Sequence, residues 1–457
     1  MPKHKTLTKK LKTWLIWMLV FCGVLVVATI GFIYINLGLQ NTSVYKGPRR
    51  ITIQKRNGRY NFYKNGKAFS VEGAAGFSHI KELSECGANT IMCWDTSELP
   101  NTLKEATRNN IAVIIGLDIP GKDRNVPGKD MTFYSNQKNV TTLYKAYINI
   151  VRRYKDDPSV FAWCLGNELV FPLSLVPKPF YRAYNQILDS IHHIDPNHPV
   201  CTSIVNVSRR SIIMMKWKIP SLDFYCLNIY NSIKTLPHQL DLIKWIWQGP
   251  YLLGEWAPMG GWESPVTAWQ SPIENTSTEK AELFYHFYTK YMPLKDPRFL
   301  GSLAFYWGSR YEYTNSWFSI FDKRGSPTEI EEALNDCWKD TVTIHDAPKI
   351  KYALIDNLTP EDNIIIESGS TNSTSLVLSS SVPPDKLQYS WQIFQEWSGA
   401  HTPPNVNRLF TDSTAQNPMF TAPSREGPYR VSVTVYNSKG YCATANIPIY
   451  VIKGNEL

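Results

Sequence analysis

The sequence lacks the features that make several functional classes easy to read. No Gly-x-Gly-x-x-Gly follows the first strand-like run, so a nucleotide-binding open sheet would be without its phosphate loop. None of the eight cysteines forms a close Cys-x-x-Cys pair. Cys22 sits in a long apolar run, and Cys93, Cys164 and Cys226 sit in strand-like runs, which reads as buried free thiols and argues against zinc. The formal charge is +9, but Lys3, Lys5, Lys9, Lys10 and Lys12 crowd the first turns of the chain. The rest is close to balanced and carries no basic stripe beside a recognisable binding motif, which excludes nucleic acid as a partner. No lysine stands at a strand end in a convincing catalytic setting, and no metal-ligand cluster is visible, which weighs against a barrel lyase or aldolase. Internal repeats and long low-complexity tracts are absent as well, and nothing in the pattern speaks to oligomeric state.

What is present divides the chain into segments, as its 457 residues lead one to expect. A basic tail, 1–13, precedes Trp14 to Leu39, a run without a charged residue that is long enough to cross the ~30 Å core of a bilayer. A cleaved signal peptide is the competing reading. The run is longer than a signal h-region, and Asn36-Leu37-Gly38-Leu39-Gln40 offers no small-x-small cleavage site. The retained anchor is therefore favoured, with the tail cytoplasmic and the folded part extracytoplasmic. The bias is small, because Lys46, Arg49, Arg50, Lys55 and Arg56 follow on the other side.

Residues 40–68 read as a juxtamembrane segment and a β-hairpin entry, with turns at Asn57-Gly58 and Asn65-Gly66. From 69 to 340 strand-like and helix-like patterns alternate. The strands are expected at Phe69 to Ala74, Asn89 to Trp94, Ala112 to Leu117, Val160 to Leu165, Val200 to Ile204, Phe224 to Ile229, Tyr251 to Gly254 and Ser302 to Trp307. Helical patterns include Leu99 to Asn109, Val140 to Tyr154, Pro179 to His193 and Thr278 to Met292. Eight alternations over ~270 residues fit a (β/α)₈ TIM barrel, with a doubly wound open sheet as runner-up. Residues 348–457 change to short apolar/polar alternations between Gly, Pro, Asn and Ser, the pattern of an Ig-like β-sandwich. That segment holds no acid pair and no His/Cys cluster, so it is expected to pack beside the barrel without supplying a catalytic group.

Two short apolar strands end in Gly166-Asn167-Glu168 and Gly254-Glu255-Trp256. In a parallel barrel strand ends of one polarity share a rim, so both carboxyls come to one face. Two such acids are the equipment for cleaving a glycosidic bond. Gly-Asn-Glu alone also fits a capping asparagine beside a structural glutamate, and the 15 Trp and 25 Tyr suit either sugar-binding clefts or a large aromatic core.

Context adds a family. Over roughly Tyr60 to Trp338, the segments Gly87-Ala88-Asn89-Thr90-Ile91, Tyr154-Lys155-Asp156-Asp157-Pro158, Gly166-Asn167-Glu168, Asp195-Pro196-Asn197-His198-Pro199 and Gly254-Glu255-Trp256 together resemble clan A of the glycoside hydrolases. More narrowly they look like the bacterial membrane-anchored barrel proteins grouped with family two. The resemblance implies that Glu168, after the fourth strand, is the general acid/base and Glu255, after the seventh, the nucleophile. It makes Asn167 a partner for the sugar 2-hydroxyl, Tyr230 a hydrogen-bond donor to the nucleophile, and Trp307 an aromatic platform. Trp94, Asp118 and Trp256 are placed to line the cleft, as are Asp95, Trp262 and Trp269. One departure stands out: many relatives end the second strand with an arginine, whereas this chain has Ile91-Met92-Cys93-Trp94, leaving Arg310 as a candidate substitute.

The function so implied is a retaining β-glycosidase or transglycosidase acting on an oligo- or polysaccharide of β-glucan type, without metal or organic cofactor. The alternative is a noncatalytic glycan-binding or polysaccharide-assembly protein on a degenerate barrel.

Overall fold

The computed structural model describes residues 3–38, 50–120, 130–173, 178–379, 383, 386–396 and 409–453. Its centre is a closed barrel of eight parallel strands: Val71–Gly76, Thr90–Cys93, Ala112–Leu117, Val160–Leu165, Val200–Val205, Phe224–Ile229, Tyr251–Trp256 and Phe299–Trp307. Every strand lies where the apolar runs place it, with ends displaced by up to three residues. Six of the eight carry no exposed or half-exposed residue except at an end, because the helices cover the outside and side chains fill the inside.

The expected helices are found at Leu99–Arg108, Gln137–Tyr154, Pro179–Ile194 and Ser277–Tyr291. Their starts are written locally. Asn136 accepts a hydrogen bond from the Lys138 amide, and Thr276 and Glu279 form a reciprocal capping box.

A three-stranded antiparallel meander, Ile51–Arg56, Arg59–Lys64 and Lys67–Phe69, precedes the barrel. Its two turns are the two Asn-Gly pairs, with φ of 49° and 81° at Asn57 and Gly58 and 50° and 80° at Asn65 and Gly66. Positive φ at both central residues is what a tight hairpin turn of matching twist requires. Upstream, the helix Lys3–Gly38 leaves its side chains exposed from residue 12 to 29. It is the one helix among the described residues long and apolar enough to cross a membrane, a property shared by signal sequences and anchors. It also takes in most of the basic tail. Leu39 and the juxtamembrane residues 40–49 lie outside the described residues.

The C-terminal unit is two sheets. One holds Ile350–Ile355, Thr371–Leu378 and Met419–Thr421; the other holds Ile365–Glu367, Cys442–Ile452, Gly427–Tyr436 and Gln388–Gln395. The short strand Ile365–Glu367 runs parallel to its neighbour, an exception to the otherwise antiparallel pairing.

A buried polar network joins this unit to the barrel. Asn446 Nδ2 donates to Glu274 Oε2 at 2.5 Å, and the Arg430 guanidinium reaches the Pro272 carbonyl at 2.8 Å, the Asn446 amide oxygen at 2.6 Å and the Glu396 carboxylate. Glu274 also accepts from Lys280 at 2.7 Å and from Thr314 at 2.5 Å. Burial alone would raise the Glu274 carboxyl, but Lys280, Thr314 and Arg430 hold it below the ordinary range.

Candidate active site

The fourth barrel strand ends in a sharp turn. Gly166 has φ 86° and Glu168, a non-glycine, has φ 55°, a left-handed conformation that side chains adopt rarely and that is held here by surrounding contacts. Those contacts come from the next strands. Asn228, on the sixth strand, donates from Nδ2 to Asn167 Oδ1 at 3.0 Å and to Glu168 Oε1 at 3.3 Å. Its own Oδ1 accepts from Ser203 Oγ, on the fifth strand, at 2.7 Å. With its carbonyl committed to Ser203, the Asn228 amide can only present N–H toward the two residues.

The seventh strand runs to Trp256, beyond the expected end at Gly254. Its pairing with the sixth strand shifts register between Leu253 and Glu255, so that Glu255 stands opposite Asn228. Such irregularities re-aim side chains at barrel rims. Glu255 is 5% exposed and its Oε2 accepts from the Tyr230 hydroxyl at 3.3 Å. Burial, and then the charges of Glu255 and Glu168, push the Tyr230 hydroxyl well above its usual value, so the phenol keeps its proton and donates. Trp262 meets the Tyr230 ring edge-on at 4.9 Å and Phe318 packs at 5.5 Å, fixing the ring's direction.

These groups line a cleft of about 510 Å³ at the barrel mouth. Asn167, Glu168, Tyr230, Glu255, Trp94 and Asp118 all reach it, as does Met92. Trp94 reaches it because the third strand has glycine at 116, where a Cβ would lie 2.0 Å from the indole.

Three candidates, Trp256, Trp307 and Trp269, lie elsewhere, and the reading of them as cleft residues is corrected. Trp256 is fully buried and packs on Phe284 and Tyr288, outside the barrel. The strand continues past Glu255, and with Glu255 turned inward the next side chain points out. Trp307 is also fully buried; it donates to the His79 carbonyl at 2.9 Å and packs on Phe321 and Trp338. A register shift between Phe305 and Trp307 breaks the alternation there, and Phe305 and Tyr306 face the cleft instead. Trp269 turns away too, against Tyr450 of the C-terminal unit at 5.7 Å.

Sequence reasoning missed Asn228, Phe305 and Tyr306 as site residues. Asn228 carried a signal: a polar residue inside an otherwise apolar strand, two before Tyr230.

Among the described residues, Arg310 is the cation that lines the cleft. It pairs with Glu312 at 2.9 Å. Burial works against its charge, but Glu312 first and Glu255 more weakly hold it.

Beneath the site the barrel assembles a group that the spacing did not disclose. The sulfurs of Cys164, Cys201 and Cys226, on three adjacent strands, lie within 4.8 Å of one another, and those of Cys201 and Cys226 are 3.4 Å apart. These are the residues that could hold a soft metal ion. All three are buried free thiols, and burial pushes Cys164 and Cys201 well above the usual thiol range.

A parallel eight-stranded barrel that presents glutamates from its fourth and seventh strands to one cleft is similar to clan A of the glycoside hydrolases. No family model matches the chain. Among curated relatives, the Mannan endo-1,4-beta-mannosidase F of Aspergillus clavatus is 38% identical over 76 residues, 16% of this chain and 17% of the relative. A Probable mannan endo-1,4-beta-mannosidase F of Neosartorya fischeri is 23% identical over 184 residues, 35% of this chain and 40% of the relative. The chain thus spans less than half the length of these relatives. Among solved structures, the endo-beta-1,4-mannanase from Thermotoga petrophila superposes with a TM-score of 0.43 at 14% identity, covering 85% of this chain and 99% of that one. Bacteroides uniformis beta-glucuronidase 3 gives 0.43 at 13%, covering 89% and 54%.

Proposed function

We propose that the protein is a retaining β-glycosidase or transglycosidase that acts on O-glycosidic bonds of a β-linked polysaccharide. The observation that carries this reading is the pairing of Glu168 and Glu255 in one cleft, where Asn228 donates to Glu168 and Tyr230 to Glu255. Glu168 gives its proton to the leaving glycosidic oxygen while Glu255 attacks the anomeric carbon, forming a glycosyl-enzyme. Glu168, now a base, then takes a proton from water or from a sugar hydroxyl, which attacks that intermediate and frees Glu255. Tyr230 keeps Glu255 oriented as a carboxylate, and Asn228 keeps Asn167 and Glu168 in register. Trp262, half exposed beside Tyr230, and Phe305 supply apolar faces for sugar rings. Arg310 takes the place of the absent arginine beside Met92 as the positive charge near the nucleophile.

The relatives' names add β-1,4-mannan to the β-glucan-type polymers as substrates. The N-terminal helix is proposed as a retained anchor that places the barrel outside the cytoplasm. Product analysis by mass spectrometry, with the full chain in detergent and a panel of β-glucans and β-mannans, tests the reading. Shortened or transferred products from one polymer support it. Binding to a polymer without product, unchanged when Glu255 is replaced by Ala, would favour a noncatalytic glycan-binding protein.

A further inference from the structure

The end of the barrel opposite the cleft carries a concentration of positive charge that the chemistry does not use. The meander that closes this end contains Lys55, Arg56, Arg59, Lys64 and Lys67, with Arg50 just before it, and no acidic residue occurs from Arg50 through Val71. It is locked in place. The Arg50 guanidinium donates to the Asp157 carbonyl at 3.0 Å, the Ile51 amide to the Asn197 carbonyl at 3.0 Å, and the Tyr60 amide to the Pro297 carbonyl at 2.7 Å. These acceptors stand just before the fourth, fifth and eighth barrel strands, which fixes the meander at the strands' entry end. Phe62 plugs the barrel there, edge-on to Phe161 at 4.9 Å and Phe224 at 5.2 Å.

Among the described residues the charges on this plug lack counter-charges. None of the six makes an ion pair with a described carboxylate. Lys55 lies over Tyr60, Arg56 over Tyr63 and Lys64 over Phe69. Nearby acids are engaged: Asp157 accepts from Ser159, and Asp296 from Arg298 and Tyr251. Burial and then repulsion from Arg50 push the Lys64 ammonium below its ordinary value, as expected where like charges crowd.

Two further features share this end. Trp217 and Trp245 are 38% and 59% exposed, each shortly before a barrel strand begins, and Lys216 joins their segments by donating to the Ile246 carbonyl at 3.0 Å. Exposed tryptophans beside lysines are the side chains that settle at a membrane interface. Chain length also limits where this face can be. Eleven residues, 39–49, separate the end of the apolar helix from Arg50, a reach of at most ~40 Å even fully extended.

We propose that this end of the barrel is a docking face for anionic lipid headgroups. The protein then sits meander-down on the bilayer that its helix enters, and the cleft, about 20 Å away across the barrel strands, opens away from the membrane toward its polymer. The inference rests on the anchor reading of the helix. Each cation near such a surface contributes about 1 kcal/mol, a term that salt screens.

Hydrogen exchange of the full chain tests it, in nanodiscs of phosphatidylcholine with or without phosphatidylglycerol. Amides in segments 55–60 and 64–68 are expected to exchange several-fold more slowly in the phosphatidylglycerol discs. That protection should vanish in high salt and in a Lys55→Glu, Arg56→Glu, Lys67→Glu variant, whose substitutions are all at exposed positions, while the cleft rim is unchanged. Equal exchange in both discs overturns the proposal. So does protection by soluble heparin in phosphatidylcholine discs without protection by phosphatidylglycerol, which would assign the face to a polyanion. Intact mass separates the anchor question: a chain that has lost residues 14–39 refutes the anchor by itself. Flotation of that processed chain with phosphatidylglycerol vesicles then decides the docking face.

Discussion

Tyr230 and Asn228 divide the work of holding two carboxyl groups that would otherwise crowd one cleft. Tyr230 stays protonated because burial and two nearby carboxylates oppose its ionisation, so its hydrogen bond to Glu255 persists across the physiological range. Tyr230→Phe removes a donor to a charged acceptor, a loss of about 1.5–3 kcal/mol. Turnover should fall about ten- to a hundredfold, with little change in melting temperature. Steady-state kinetics alongside calorimetry check both parts, and an unchanged kcat would remove Tyr230 from the mechanism. Replacing Glu168 by Ala should separate substrates by leaving group. Activated aryl glycosides need little protonation and should keep most of the first step, poor leaving groups should lose it, and added azide should restore turnover by attacking the intermediate without a base. Absence of any leaving-group dependence would contradict the acid/base role.

The C-terminal unit matters for the loops that edge the cleft. Asn446, held by Arg430, donates to Glu274, Glu274 accepts from Thr314, and Thr314 sits in the 308–319 loop that carries Arg310, Glu312 and Tyr313 into the cleft. Replacing Asn446 by Ala takes one buried donor from Glu274, which Lys280 and Thr314 still hold; losing a buried hydrogen bond to a charged group costs about 1.5–3 kcal/mol. Asn446→Ala should therefore speed hydrogen exchange in residues 310–318 and raise KM for a polymer more than it lowers kcat. Equal exchange in variant and parent would mean that the loop holds itself.

This coupling was not legible in the sequence, because it joins residues more than a hundred positions apart through single side chains. The barrel was legible, since apolar runs of strand length alternate with helical periods and every parallel strand is covered on both sides. Glu168, Glu255 and Tyr230 were legible for the same reason: each stands at or just beyond the end of such a run. Trp256 and Trp307 were misplaced because the direction of a side chain at a strand end depends on one residue of register. The Leu253/Glu255 and Phe305/Trp307 irregularities set that register without a sequence mark. The cysteine trio was hidden likewise, its members being neighbours only across strands.

At the scale of the whole molecule, the segment joining barrel and C-terminal unit contains a charge-dependent contact. His345 donates from Nδ1 to Glu329 at 2.8 Å and from Nε2 to Asp336 at 3.1 Å, which requires the doubly protonated ring. The bond to Glu329, against burial and aided by Asp336, raises its pKa from 6.5 to about 8. A raised pKa stabilises the folded state fully below the unfolded value, and that stabilisation fades as pH rises through about 8. The melting temperature should therefore drop between pH 6.5 and 8.5, and His345→Gln should flatten the drop. A variant with the parent's full pH dependence would show that another group governs it.

In the proposed reaction Glu255 forms a covalent bond to the sugar while Glu168 handles the protons. Trapping with a panel of 2-deoxy-2-fluoro-β-glycosyl fluorides, followed by proteolysis and peptide mass spectrometry, tests it most directly. One sugar per chain is expected, attached to the peptide that contains Glu255 and absent from the Glu255→Ala protein. A label on Glu168, or a Glu255→Ala protein that turns over its polymer at nearly the parent rate, would contradict it.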